Sequence, residues 1–438
     1  MRVTRLLRAS RTAVLAAVVG AVVALFGAVP TPATAASEGA ECLTGSGSTP
    51  TFTLTATSGY IQTPDGNTIY TWGYAGPAGT FQLPGPTLCV DEGDTVTVVL
   101  QNKLKYATSV VFPGQTGVTA DGAPATPTFS TGTAGGSLVQ PVAGRPTTTS
   151  PIPSVTYTFT AGAPGTYLYE SGTDQRLQVQ MGLYGALVVR PAGHPDRVYA
   201  DASTTFKGGQ EYVHLLSEVD PVVHAAVERN RVSTIVWANY KPRYFLLNGR
   251  SMPDTIAPNH APYLPAQPYG STVHIQPRTS DNPLPAVIRY LNAGIATYPF
   301  HPHGNSQRVV GRDGRALAGT TGEDLTYDKF LVDVGPGQTV DTLLSWTDVE
   351  MFNPTDNPIG VPLPSQQNLD ISADTWWSQS PYLGVTSDLP PGVTSYNTCG
   401  EYYHVAHSHA LQQSTNFGAA FGGMMTLIRI DPPDATTC

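Results

Sequence analysis

The chemistry of this chain is most visible in its histidines. There are ten in 438 residues, none before His194, and four of them form two spaced pairs, His301-Pro302-His303 and His407-Ser408-His409. Residues two apart on a β-strand point to the same face, so each pair presents two imidazoles side by side. If the two strands are neighbours, four imidazoles converge. Neutral imidazole suits copper, zinc, iron or nickel, and the Irving–Williams order favours Cu(II) at such a site. The competing reading is a polar cluster, hydrogen-bonded to backbone or to itself, that binds nothing. His404 falls on the Ser408 face of its strand, away from His407 and His409, and reads as structural. His214 and His274 have no ligand-like spacing.

The elements that must hold these residues are strands. Period-2 alternation with Val, Thr, Tyr and Phe recurs in residues 51–57, 94–101, 155–160, 183–189 and 272–276, and most of these runs are bounded by Gly, Pro, Asn or Ser. Extended amphipathic helix patterning is scarce, so the expected class is all-β, built from β-sandwiches. Rossmann and phosphate-loop glycine motifs are absent, as is a Gly-x-Ser-x-Gly elbow. A Gly/Thr/Pro/Ala-rich stretch at 114–153 has few large apolar residues and is expected to be disordered. A second irregular stretch, 351–399, carries Trp376, Trp377, Tyr382 and Tyr396, and is expected to pack over a domain interface or along a ligand pocket. A composition change across 194–210 marks the expected domain boundary.

The N-terminus has Arg2, Arg5, Arg8 and Arg11, an apolar run over 13–29, then Pro-Thr-Pro and Ala33-Thr34-Ala35. This pattern predicts a secretory signal peptide over 1–35 and an extracellular or cell-envelope protein. The run is too short and too abruptly ended by proline for a membrane span, and no second candidate follows. Without those four arginines the formal charge moves from -9 to -13, and the remaining cations are scattered, so nucleic acid is not an expected partner. Four cysteines remain, Cys42, Cys89, Cys399 and Cys438, an even number that predicts two disulfides in an oxidising compartment. Pairing Cys42 with Cys89 and Cys399 with Cys438 is adopted without further support. No Cys-x-x-Cys or Cys/His finger spacing suggests a structural zinc site.

Longer motifs carry a family resemblance. Residues Pro84-Gly85-Pro86-Thr87-Leu88-Cys89-Val90-Asp91-Glu92-Gly93-Asp94, Gly165-Thr166-Tyr167-Leu168-Tyr169-Glu170-Ser171-Gly172 and Gly182-Leu183-Tyr184-Gly185-Ala186-Leu187-Val188-Val189 resemble the entry and end of the first domain of multicopper oxidases. Tyr298-Pro299-Phe300-His301-Pro302-His303-Gly304, His407-Ser408-His409 and Gly422-Gly423-Met424 resemble that family's later copper-binding segments, and Phe245-Leu246-Leu247-Asn248-Gly249-Arg250 its Asn-Gly strand. The resemblance implies tandem cupredoxin domains, Greek-key β-sandwiches, over 36–195 and 210–438.

It also implies what is missing. The family holds a type 1 copper with two His and a Cys, and a three-copper cluster with four His-x-His pairs drawn from two domains. Here Val111 and Pro113 stand where the first pair belongs, and Glu170 and Gly172 where the second belongs. Tyr298, Ser408 and Gln413 occupy the type 1 positions, so no type 1 copper is expected: without a thiolate there is no blue copper centre. What remains is copper at low stoichiometry on His301, His303, His407 and His409, with Glu170 as an additional candidate ligand across the domain interface. The expected function is a secreted, multicopper-oxidase-like copper-binding protein with a reduced multi-His site. Its partner would be a small molecule or metal ion, and any activity that of a copper-dependent oxidoreductase rather than a laccase. The alternative is a non-catalytic extracellular structural or binding protein on a degenerate cupredoxin scaffold. Two-domain relatives commonly assemble as trimers with the metal site between subunits, which implies a homotrimer here.

Overall fold

A computed structural model describes residues 39–127, 136–347 and 402–431, together with the backbone of five short strands between 360 and 396. The signal-peptide segment, Cys399, Cys438 and the aromatic side chains of 351–399 lie outside the described residues.

The alternating runs do form sandwiches. In the first lobe, Thr95–Asn102 buries every second residue, so Val96, Val98 and Leu100 face inward while the threonines and Gln101 face outward. This strand sits between Thr51–Gln62 and Ser154–Thr160 in a six-stranded sheet. Its inner face packs on Leu88, Val90, Leu187 and Val189 of a four-stranded sheet, formed by Cys42–Thr44, Thr87–Asp91, Tyr184–Arg190 and Gly165–Glu170. Each such Val or Leu contributes roughly 1.5–3 kcal/mol by leaving water. Cys42 and Cys89 bridge the first two of those strands in a disulfide, as paired above.

The four-stranded sheet is buried on both faces, which is why residues 183–189 read as a continuous apolar run. Leu168, Tyr184 and Ala186 on its outer face meet Leu215, Val219, Leu246 and Leu291 of the second lobe. Those residues belong to a nine-stranded sheet centred on Glu211–Val219, Ala286–Asn292 and Thr339–Leu344. The opposite face of that sheet, with Tyr212, Leu216, Ile288 and Tyr290, packs on a five-stranded sheet. The order there is Val273–Ile275, Met425–Ile430, Tyr402–Ser408, Tyr298–Pro302, Val332–Val334. The nine-stranded sheet is thus the middle layer. It also carries a buried charge network, with Arg289 bound to Glu211 at 2.7 Å and to Thr166 of the first lobe at 3.0 Å.

The stretch at 114–153 departs from expectation. Its described part is ordered by small residues: Ala120, Val139 and Val142 enter the first core, and the Gln140 carbonyl accepts the Tyr157 hydroxyl at 2.6 Å. Few apolar side chains suffice because the neighbouring sheet already supplies the rest of the surface. A short helix, Pro221–Glu228, follows the strand ending at Val219; Asp220 caps it through Val222 N, and proline occupies its first turn.

Candidate metal centre

Phe300, His301 and Pro302 pair with Ser408, His407 and Ala406 on adjacent antiparallel strands. Tyr298, Phe300 and Ala406 point into the core, and strand alternation then turns His301, His303, His407 and His409 outward. One further rung at each end, His303 N to Val405 O at 2.9 Å and His409 N to Pro299 O at 2.7 Å, fixes the outer two histidines. The structure brings all four rings together: centroids are 4.7 Å apart for His301–His303, 5.1 Å for His303–His407, 5.5 Å for His301–His409 and 5.7 Å for His407–His409. His404 lies on the inner face, its ring 4.6 Å from Trp346.

Two of the rings are held in a defined tautomer. His301 Nδ1 lies 2.7 Å from the Phe330 carbonyl, and His407 Nδ1 lies 2.9 Å from the Ser408 carbonyl. A carbonyl only accepts, so each Nδ1 carries the proton and each neutral Nε2 presents a lone pair. Backbone acceptors of this kind orient histidine ligands in metal sites. His303 Nε2 and His407 Nε2 are 3.1 Å apart, about the spacing of neighbouring nitrogens each bound at about 2.0–2.1 Å to one ion. Among the described residues no three donors are already drawn in around one point, so His301 and His409 must turn their rings to complete a site. Partial burial lowers the pKa of His303 and of His407, and the neighbouring imidazoles lower both further, while the Ser408 carbonyl partly offsets this at His407. Both effects favour the neutral, metal-binding form.

Glu170 is not brought to this cluster. It pairs with Tyr184 and Val111 inside the first lobe, and burial pushes its carboxyl up to about 7. The nine-stranded sheet and the second core stand between it and the imidazole face. Of the remaining first-lobe positions, Pro113 is exposed, Val111 half-buried and Gly172 buried. A Cβ on Gly172 would stand 2.6 Å from Val111 Cγ1, leaving no room for a ring. Around them runs a buried hydroxyl network. Thr108 and Ser171 both donate to Gln178 Oε1 at 2.7 Å, Gln178 Nε2 donates to the Ala107 carbonyl at 2.8 Å, and Ser109 Oγ accepts from Thr173 at 2.8 Å.

The type 1 positions are likewise filled. Ser408 donates to Gln413 Oε1, both buried, and Gln413 Nε2 donates to the Thr297 carbonyl at 3.1 Å. Tyr298, fully buried, points its hydroxyl toward Glu218: a Cβ on Gly294 would lie 2.3 Å from Tyr298 Oη and 1.9 Å from Glu218 Oε2. Neither oxygen has a hydrogen-bond partner among the described residues. Burial pushes the Glu218 carboxyl up to about 7, against the hydrogen bonds that Ile295 N and the Tyr240 hydroxyl donate to Oε1. No sequence motif signalled Glu218 or the Phe330 carbonyl, because long-range packing supplies them, nor the Ser408 carbonyl, which is backbone and so carries no residue-type signal.

Known proteins agree with this architecture. A family model described as multicopper oxidase matches residues 55–137. L-ascorbate oxidase from Cucurbita maxima is 26% identical over 337 residues, covering 72% of this chain and 46% of that protein. A probable nitrite reductase-hydroxylamine oxidoreductase fusion protein from Kuenenia stuttgartiensis is 30% identical over 184 residues, 39% of this chain and 20% of that protein. The chain therefore spans less than half the length of these relatives. Among solved structures, the blue copper oxidase from Nitrosomonas europaea superposes with a TM-score of 0.55 at 19% identity over 87% of this chain and 85% of its own. The multicopper oxidase mgLAC gives 0.56 at 18% identity, over 87% and 86%. The solved structures share the fold of two stacked cupredoxin sandwiches, and the family-model match and the ascorbate oxidase relative support a divergent member of the multicopper oxidase and cupredoxin superfamily. No described helix is long and apolar enough to cross a membrane.

Proposed function

We propose that this chain is an exported copper-binding protein that holds copper at a reduced site on His301, His303, His407 and His409, and that it is not a laccase-type four-copper enzyme. The observation that carries the reading is the fixed orientation of His301 and His407, whose Nδ1 protons go to backbone carbonyls while both Nε2 lone pairs face one outer surface. Export is supported by the N-terminal arginine and apolar pattern and by the Cys42–Cys89 disulfide. A bound copper would supply one-electron chemistry to a small molecule or metal ion, making the protein a copper-dependent oxidoreductase. The chain's own residues orient the imidazoles and keep them neutral.

The imidazole face is open, and large apolar side chains flank it. Phe330, 60% exposed, packs edge-on against His301, and Leu411, 64% exposed, follows His409 by two residues. A second copy of the chain placed there would cover them and bring its own Glu170 side of the first lobe toward the metal, the arrangement of a homotrimer. The second reading, a non-catalytic binding or structural protein, fits the finding that among the described residues no three donors are pre-assembled. Copper titration of the metal-free protein, followed by calorimetry and electron paramagnetic resonance, separates them. Expected is a nitrogen-coordinated Cu(II) signal that disappears in the paired His301→Ala and His407→Ala variant. Negligible copper uptake, or uptake unchanged in that variant, sinks the proposal in favour of the second reading.

A further inference from the structure

Remote from the imidazoles, the first lobe carries a cleft of about 370 Å³ between the Thr51–Gln62 and Thr68–Ala75 hairpin, the Lys103–Tyr106 loop and the end of the Pro221–Glu228 helix. Its walls are aromatic. Tyr60 is 51% exposed, its hydroxyl fixed by a 2.6 Å hydrogen bond to Glu228 and its ring 5.7 Å from that of Tyr70. Tyr106 leans on the buried Trp72 with ring centroids 5.4 Å apart. Its rim is cationic: Lys103 and Lys105 are exposed, Lys105 Nζ stands 4.8 Å from the Tyr106 ring centre, and neither lysine has a carboxylate partner among the described residues.

Three features narrow the ligand. The rings meet at 69° and 36°, so they form single faces rather than a parallel slot for a flat aromatic molecule. A single π-face with its negative quadrupole suits the C–H face of a pyranose ring. The volume exceeds what one ring fills and lies at the lower end of the roughly 300–1,000 Å³ range of ligand sites, matching two or three linked sugars. The two ammonium groups sit on a chain of formal charge -9, and the one carboxylate lining the cleft, Glu228, is engaged by Tyr60, so the lysine rim offers cations to an anionic ligand. We propose that the cleft is a binding site for an acidic oligosaccharide, a uronate-bearing glycan, one of whose pyranose faces stacks on the exposed Tyr60 ring and whose carboxylates pair with Lys103 and Lys105.

The test titrates the protein with trigalacturonate, with the matched neutral trigalactose and with benzoate, following tryptophan fluorescence and calorimetry at low and high salt. Trigalacturonate is expected to bind, to weaken as salt screens the lysines, and to lose about tenfold in affinity in the Lys103→Gln, Lys105→Gln variant. Tyr60→Ala should weaken it further, with the melting temperature of both variants unchanged as the check on folding. Equal binding of trigalactose, tighter binding of benzoate, binding indifferent to the lysines, or no binding at all overturns the proposal.

Discussion

At matching places on its two sandwiches the chain sets four imidazoles on one and a closed network of hydroxyls on the other. On the second lobe, His301, His303 and His409 reach solvent and the buried His407 ring is satisfied by the Ser408 carbonyl and His303, so the imidazoles' retention without metal costs the fold little. The hydroxyl network beside the first-lobe positions is interior, where every polar atom needs a partner: Thr108, Ser109, Ser171, Thr173 and Gln178 provide those partners for each other. The contrast shows that loss of ligands in the first lobe is a structural commitment. Gly172 sits too close to Val111 for an imidazole to return by one substitution.

The largest test of this contrast is Gln178→Leu. It strips partners from Thr108, Ser171 and the Ala107 carbonyl at once, and should destabilise the protein by about 3 kcal/mol, read as a lower melting temperature, with copper uptake unaltered. Gly172→His, an attempt to rebuild a first-lobe ligand, should cost about 1–3 kcal/mol through overpacking and add no copper; a gain in copper stoichiometry would break the comparison. By contrast, His303→Ala should change the metal-free stability by no more than about 1 kcal/mol yet abolish the rise in melting temperature that copper gives the native chain. The smallest effect is expected of Ser408→Cys. Because Tyr298 and Gln413 still stand at the partner positions, no intense blue absorption band should appear on adding copper, and its appearance would show that the type 1 pocket remains usable.

Much of this was legible in the sequence, for reasons that can be traced to particular residues. The His301/His303 and His407/His409 pairs were readable because strand alternation is a local rule, and their common face followed once the strands paired. Val96, Val98 and Leu100 announced a buried face in the same way. The ordering of Val139 and Val142 was not legible, since it depends on a sheet built mostly from residues before 103 and after 153. The remoteness of Glu170 was equally hidden, because a resemblance aligns positions along a chain without saying how far apart the fold sets them. Lys103, Lys105 and Tyr60 carry no motif and meet only through the fold.

The Glu218 carboxyl, facing Tyr298 across Gly294, has a thermodynamic consequence of its own. Its folded pKa of about 7 lies above the ordinary 4.5, so between those values the folded chain retains a proton that the unfolded chain releases. This group's contribution to stability is therefore full in mild acid, declines as pH rises through that window, and is lost above about 7. Heat unfolding near pH 6 should thus release this group's proton, against the protons taken up by His214, His224, His303 and His407, whose folded pKa values are lowered. In Glu218→Gln, which keeps the shape and removes the titration, the net proton count read from the buffer dependence of the calorimetric enthalpy should shift toward uptake, making the protein's interior readable from the solvent side as a count of protons.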